Sequence, residues 1–397
     1  MILPDAPWRR QPGLDRLAAT LGTGNARFVG GAVRDTLLGL PVTDIDVATP
    51  LAPKRVVELL ESAGIKAVPT GIAHGTITAV SSGTVVEVTT LRRDVSTDGR
   101  RATVAFTDDW REDAARRDFT INALYADPKT GEIFDYFGGL ADLEARHIRF
   151  IGDPLQRIAE DHLRILRFFR FLARFGDTPD PAALEACTAR ANDLMALSRE
   201  RIRDELLKLL VAPDAVRVLG LMVERGILTP VVPEIDAAGV ARLAMLAGHE
   251  AESDIAPEPI RRLAAALPAD PAVNEAVGAR LKLSNAERQA LASAIRPDVA
   301  EGPLALAYRL SPERAVDRLL LAGDVAGAIA AAAWSPPRLP LSGGSLIGRG
   351  LSKGPDVAKA LRRIEDRWIA EGFPDDDRAG QIADSVVAEL LSRTSSA

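Results

Sequence analysis

RFVGGAVRDTLLGLPVTDIDVAT, residues 27–49, is the stretch whose reading decides the fold. Phe28 and Val29 lead into two adjacent glycines, Gly30 and Gly31, and then into a helix-like segment that carries Arg34 and Asp35. Asp44 and Asp46 follow, flanking Ile45. Residues two apart on a strand point to the same face, so a strand over residues 44–48 sets two carboxylates side by side. Two carboxylates so placed are within reach of one pair of divalent cations. Glycines whose amides can face phosphate, followed by paired aspartates, point to metal-dependent phosphoryl or nucleotidyl transfer.

The rest of residues 1–148 reads as mixed α/β. Helices are expected over 14–21, 33–38 and 53–63, with Pro53 suited to a first turn. Strands are expected over 27–29, 65–68, 76–80 and 84–91, where Val, Ile and Thr concentrate. Ser82-Gly83 marks a hairpin turn. Residues 92–117 carry dense charge of both signs and read as a long loop entering a helix near Asp109. From residue 154 onward the apolar period is helical. One helix is expected over 154–175, closed by Gly176, and another over 198–211. Ser284 and Glu287 form a capping box. Residues 335–340 (SPPRLP) look like a linker, and a last helical unit spans 355–370.

At 397 residues the chain is long enough for two to four domains. No apolar run approaches the ~20 residues of a membrane span, so no membrane association is expected. The N-terminus lacks a charged-then-apolar leader pattern, and Cys187 is the only cysteine, which together suit a reducing cytoplasm. The net charge of −6 argues against nucleic-acid binding by the surface as a whole. A local basic track runs through Arg157, Arg164, Arg167, Arg170 and Arg174. His74, His147, His162 and His249 form no zinc pattern. The glycine-rich run from Gly343 lacks the Lys-Ser/Thr of a phosphate loop and reads as a loop or turn.

Three constellations carry chemistry. Asp44 and Asp46 are candidate metal ligands, and Glu87 in VVEVTT is either a third catalytic carboxylate or an outward strand residue. Arg117 could meet phosphate, while Asp118 and Asn122, sharing a helical face, could bond ribose hydroxyls. Asp161 and Arg164, at i and i+3 on a helix, offer an acceptor and a forked donor to the edge of a base. Arg167 and Arg170 continue that side. Each cluster alone has an ordinary explanation: a solvated strand edge, a capped helix start, an intrahelical ion pair.

In order along the chain, GGAVRD, DID, RRDFTINA, the GG-x-x-DL element at Gly138 to Leu143, EDHLRILR and ERIRDELLKLL resemble the class II tRNA nucleotidyltransferases. These are the CCA-adding enzymes of the polymerase β superfamily, whose catalytic motifs bacterial poly(A) polymerases share. The likeness spans residues 27–211 and is weaker in the tail. It implies an α+β fold: a polymerase-β-like nucleotidyltransferase head with a five-stranded mixed sheet, then an all-helical neck, body and tail. On this chain those fall at 1–148, 149–211, 212–334 and 335–397.

The resemblance also implies roles. Asp44 and Asp46 would hold Mg²⁺. Gly30, Gly31 and Arg34 would hold the incoming triphosphate, with Arg117, Asp118 and Asn122 on phosphate or ribose. Asp161 and Arg164 would select CTP and then ATP, with Glu160 holding their geometry and Arg167 and Arg170 lining the pocket. Glu200, Arg201 and Glu205 would brace the selecting helix. The partners implied are CTP, ATP and the 3′ acceptor end of tRNA, whose hydroxyl is the nucleophile; nothing in the pattern fixes an oligomeric state. Lys353, Lys359, Arg362, Arg363 and Arg367 are candidate phosphate contacts.

Within the family, PTGIAHGTITAV is closer to the tRNA-specific form than to poly(A) polymerases. CC-adding enzymes lack part of a loop that RRDVSTDGRRATVAFTDDW here retains. Full CCA addition is therefore expected. A small-molecule nucleotidyltransferase would leave the long helical region without a task, and a non-catalytic RNA-binding relative would not need Asp44, Asp46, Asp161 and Arg164 intact.

Overall fold

The computed structural model describes residues 1–98, 101–296 and 299–394. The chain forms two compact units, Met1–Pro233 and Glu234–Ala397. Of the expected divisions, those at 148 and 211 fall inside the first unit and that at 334 inside the second.

The first unit is built on a sheet. Its strands are β1 (Arg27–Val29), β2 (Asp46–Thr49), β3 (Lys66–Gly71), β4 (Thr76–Ser81) and β5 (Thr84–Thr90), extended by β8 (Leu124–Ala126) and β9 (Ile133–Asp135). The order is β3-β4-β5-β2-β1-β8-β9, seven strands rather than the five expected. The β2–β5 pair is parallel and its neighbours are antiparallel. Ser82 and Gly83, at φ 51° and 88°, make the tight turn between β4 and β5, the left-handed pair that matches strand twist. Along β5, Val86 and Val88 are buried while Val85 and Glu87 face outward. Helices α1 (Leu14–Leu21) and α3 (Pro53–Ser62) pack on the sheet, and α2 (Gly31–Leu37) follows β1.

Residues 92–106 are not the structureless loop expected. They form a separate hairpin of β6 (Arg92–Asp98) and β7 (Arg101–Phe106), paired antiparallel, whose linking residues 99–100 lie outside the described set. Val95, Thr97, Thr103 and Val104 are strand formers, but charged residues in both strands hide them. Asp109 does start a helix: its side chain accepts from Arg111 N–H and caps α4 (Trp110–Ala115).

Helices α5 (Gly139–Glu144), α6 (Pro154–Glu160), α7 (Arg164–Phe175), α8 (Pro181–Ala189), α9 (Arg199–Leu210) and α10 (Ala215–Glu224) complete this unit. The single helix expected over 154–175 is broken. Asp161 is extended (φ −153°, ψ 107°), and its carboxylate accepts the Leu163 N–H at 3.1 Å. That side-chain bond replaces a helical backbone bond, as aspartate does at turns. Beyond the break, α7 buries Ile165, Phe168, Phe169 and Leu172 and turns Arg164, Arg167 and Arg170 the other way. It packs on α9 and α10.

The second unit is helical: α11 (Ala237–Ser253), α12 (Pro259–Ala266), α13 (Pro271–Arg280), α14 (Asn285–Ala294), α15 (Pro303–Leu310), α16 (Pro312–Ala322), α17 (Val325–Ala332), α18 (Gly343–Ile347), α19 (Pro355–Ala370) and α20 (Asp376–Thr394). The Ser284–Glu287 capping box is formed, and the expected 355–370 unit is α19. The run from Gly343 starts with the short helix α18, capped by Ser342, and continues as the expected loop and turn over residues 348–354. Trp368, Ile364, Ala360, Ile382 and Val386 bury together with Leu346 in one core.

Candidate active site

Gly30 sits where β1 ends and α2 begins, at φ 67° and ψ −121°, a backbone state open to glycine but not to residues with a Cβ. This turn leads into α2, whose Arg34 lines the same cleft as Gly30 and Gly31. Arg34 is buried at 7% exposure, stacks over Phe175 at 4.2 Å, and donates to Asp35 at 2.8 Å and to Asn122 Oδ1 at 2.5 Å. Burial lowers its pKa, and Asp35 works against that.

Asn122 passes the connection on. Its Nδ2 donates to Asp118 Oδ1 at 2.9 Å, and Arg167 Nε donates to Asp118 Oδ2 at 2.7 Å. The segment between is a 3₁₀ turn, Thr120–Asn122, which still puts Asp118 and Asn122 in contact. Burial would raise the Asp118 pKa, but Arg167 and Asn122 hold it down at about 2. Arg170, one turn along, donates to Glu205 at 2.5 Å. Phosphate and ribose candidates from three distant segments thus form one hydrogen-bonded row.

The carboxylates lie across two strands. Asp46 opens β2 and is the in-register partner of Glu87 on β5, so both side chains share the outward face. Asp44 is exposed and precedes the strand, which begins at Asp46 rather than at residue 44. The ladder nonetheless reaches back: Glu87 N–H donates to the Ile45 carbonyl at 3.0 Å. Burial raises the Asp46 pKa, and Glu87 and then Asp44 add repulsion, while Arg117 opposes them.

The base-reading candidates are held from several directions. Arg164 starts α7 and donates to Glu160 at 2.5 Å, to the Arg157 carbonyl at 2.8 Å and to the Arg116 carbonyl at 3.2 Å. Asp161 is not its i, i+3 neighbour on one helix, as expected, because the helix breaks between them. Arg201 on α9 instead fixes Asp161 Oδ2 at 2.7 Å.

A cleft of about 500 Å³ is lined by Gly30, Gly31, Arg34, Asp46, Arg117, Asp118, Asn122, Asp161, Arg164 and Arg167. Arg92, Arg116 and Phe171 also line it and were not foreseen. For Phe171 the signal was available, since it lies one helical turn beyond Arg167. Six arginines against three aspartates make the cleft a receptor for a polyanion with one acidic end. Asp44, Glu87, Glu160 and Arg170 are not among its lining residues. In the second unit, Lys353, Lys359 and Arg362 are exposed, whereas Arg363 and Arg367 are both bonded to Glu389.

The Poly A polymerase head domain family matches residues 26–149. A second family, described as the probable RNA and SrmB-binding site of polymerase A, matches residues 178–238. The chain is 35% identical over 367 residues to the human mitochondrial CCA tRNA nucleotidyltransferase 1, covering 87% of this chain and 83% of that protein. It is 34% identical over 364 residues to the CCA-adding enzyme of Limosilactobacillus fermentum, covering 87% and 89%. The solved CCA-adding enzyme of Bacillus stearothermophilus, in complex with CTP, matches with a TM-score of 0.77 at 27% identity, over 99% of this chain and 100% of that one.

Proposed function

This chain belongs to the family of CCA-adding tRNA nucleotidyltransferases, and we propose that the cleft between Gly30 and Arg164 is where it does that family's chemistry. The enzyme adds C, C and A to the 3′ end of tRNA from CTP and ATP, releasing pyrophosphate. The observation that supports the site reading is that Asp46 opens into the same cleft as Asp161 and Arg164. A nucleotide lying along it would have its phosphates near the carboxylates and its base near the pair.

Enzymes of this kind use divalent metal ions, and Mg²⁺ is the ion we propose. Asp44 and Asp46 offer the hard oxygen donors it takes, and a cation would offset the burial and the Glu87 repulsion that raise the Asp46 pKa. Among the described residues no three acidic, His or Cys side chains form a closed metal cage. That suits Mg²⁺, which takes one or two carboxylates and completes its shell with water and substrate phosphates. When bound, it would activate the 3′-hydroxyl and neutralise the leaving pyrophosphate. Glu87, beside Asp46, would steady that carboxylate or join it.

Arg34 and Arg117 would hold the triphosphate, and Asp118 and Asn122 the ribose. Asp161 and Arg164 would read the base. Cytosine and adenine each present a donor and an acceptor that this pair can meet, whereas guanine reverses adenine's pattern. Each buried group left unpaired costs on the order of 1–3 kcal/mol. By the proposed division, residues 1–148 carry catalysis, 149–211 nucleotide selection, and 212–334 and 335–397 the grip on tRNA, with Lys353, Lys359 and Arg362 on phosphate. No helix among the described residues is long and apolar enough to cross a membrane. We place the work in the cytoplasm, where its tRNA substrate and both nucleotides meet.

The direct test is incorporation on a tRNA transcript lacking its CCA end, with Mg²⁺ and CTP, ATP, or both. Two residues with CTP alone and a third only when ATP is added is the expected result. A stop at two with both nucleotides would make it a CC-adding enzyme, and a long adenosine tail a poly(A) polymerase.

A further inference from the structure

Asp113 lies on α4, outside every motif considered above, and is 1% exposed. Its carboxylate is a hub. Oδ2 accepts the Tyr125 hydroxyl at 2.7 Å and Arg117 Nη2 at 3.2 Å. Oδ1 accepts Arg116 Nε at 2.8 Å and the backbone N–H of Arg92 at 3.2 Å. Three cleft arginines therefore meet at one buried group, two through their side chains and one through its backbone. Arg92 is the first residue of the β6–β7 hairpin.

The connection continues past the arginine pair. The carbonyls of Arg116 and Arg117 accept Arg157 Nη2 at 2.5 and 2.6 Å, and the Arg116 carbonyl also accepts Arg164. Shifting the Arg116–Arg117 backbone would thus shift the base-reading arginine. The rim of the cleft explains why a buried carboxylate is needed. Six guanidiniums crowd there and repel one another, and an arginine free to swing would turn toward water. Arg117 gives Nη2 to Asp113 and Nε to the Tyr125 hydroxyl at 3.2 Å. Its Nη1 lies next to Gly30, 3.5 Å from where a Cβ would stand. One edge of the fork is fixed, and the other is presented at the glycine turn. Burial alone would raise the Asp113 pKa; Arg117 and Arg116 hold it at about 2, so the hub is charged wherever the enzyme works.

We propose that Asp113 is a positioning residue for nucleotidyl transfer, fixing the Arg116–Arg117 pair toward the nucleotide phosphates and registering the hairpin root and Arg164 on the same frame. The inference rests on the cleft being the nucleotide site. Asp113 is buried and is not among the residues that line the cleft, so it acts through the arginines it holds.

The test is steady-state kinetics on a CCA-less tRNA with Asp113→Asn, Tyr125→Phe, Arg117→Gln and the double variant Asp113→Asn/Arg117→Gln. Asp113→Asn should raise KM for CTP and ATP about tenfold or more, with kcat falling less. Tyr125→Phe keeps the carboxylate and removes one donor, so it should raise KM about threefold and serves if Asp113→Asn folds poorly. A hub acting in part through Arg117 makes the double variant's loss in KM clearly smaller than the product of the two single losses. Losses that multiply, or an unchanged KM in both Asp113→Asn and Tyr125→Phe, would overturn the proposal. If Arg117→Gln itself leaves KM unchanged, the cleft reading has failed, and the role of Asp113 falls with it.

Discussion

Arg201 reaches from α9 to the break between α6 and α7 and holds Asp161 at 2.7 Å. Asp161 lies in the break and Arg201 on α9, so the proposed base-reading acceptor is aimed by tertiary packing and not by helical periodicity. Half of the proposed selecting pair is therefore set by α9. Arg201→Ala should leave tRNA binding intact and raise misincorporation of UTP and GTP about tenfold, the worth of one charge-assisted bond of roughly 1–3 kcal/mol. Competition between nucleotides in single-addition assays reads this. Arg164→Ala should blur selection at least as much. Unchanged discrimination in both variants would remove Asp161 and Arg164 from base reading.

Gly139 makes a different prediction, about packing behind the site. A Cβ at this position would stand 2.3 Å from the Thr120 carbonyl oxygen and 2.8 Å from its carbon, both backbone atoms. Nothing flexible can move aside. Gly139→Ala should destabilise the protein by about 1–3 kcal/mol through overpacking. It should also raise nucleotide KM, since the displaced 3₁₀ turn carries Asn122. Urea unfolding and kinetics on the same preparation check both; a normal midpoint with normal KM would mean α5 can slide.

These residues also mark where the sequence was readable. Local signals were: Ser82-Gly83 turned as its residue types require, Asp109 capped α4, and Pro355–Ala370 formed one helix. Ten of the cleft's thirteen lining residues are site candidates named from the sequence. What could not be read depends on contacts remote in sequence. A periodic run from 154 to 175 conceals the break at Asp161, because the break comes from a side-chain bond and an ion pair with Arg201, 40 residues away. The β6–β7 hairpin carries charged residues in both of its strands, and these mask it in the sequence. Asp113, Arg92 and Arg116 became visible only once β8 brought Tyr125 beside α4.

The tail basic residues separate by their partners. Arg363 and Arg367 donate to Glu389 at 2.5 and 2.8 Å and so tie α19 to α20. Lys353, Lys359 and Arg362 are exposed. If these three contact tRNA phosphates, Lys359→Ala and Arg362→Ala should each weaken binding and lower the slope of log affinity against log salt by about 0.7–0.9. Arg363→Ala should act chiefly on thermal stability. Filter binding from 50 to 200 mM salt decides it, and an unaltered slope in both exposed variants would place the tRNA grip elsewhere.

The second unit contains a buried ionic cluster with a consequence for pH. Arg261 donates to Glu250 at 2.8 Å and to Asp317 at 3.0 Å, and Arg262 donates to Glu250 at 2.8 Å. Burial raises the Asp317 pKa to about 6 from 3.8; Arg261 opposes this and Glu258 and Glu250 reinforce it. The folded protein thus binds more protons at this site than the unfolded chain between about pH 4 and 6. Its contribution to stability is therefore greatest below that window and is lost as pH rises through 6. Two pH units correspond to at most roughly 3 kcal/mol. Asp317→Asn keeps the shape and removes the titration. The unfolding free energy of the variant minus that of wild type should be more favourable at pH 7.5 than at pH 4.5, by about 1–3 kcal/mol. Asp113 and Asp118, both held at about 2, work in the opposite direction, but only below pH 4. A difference that stays constant from pH 4.5 to 7.5 would show that Asp317 titrates as an ordinary carboxylate, with Arg261 balancing its burial.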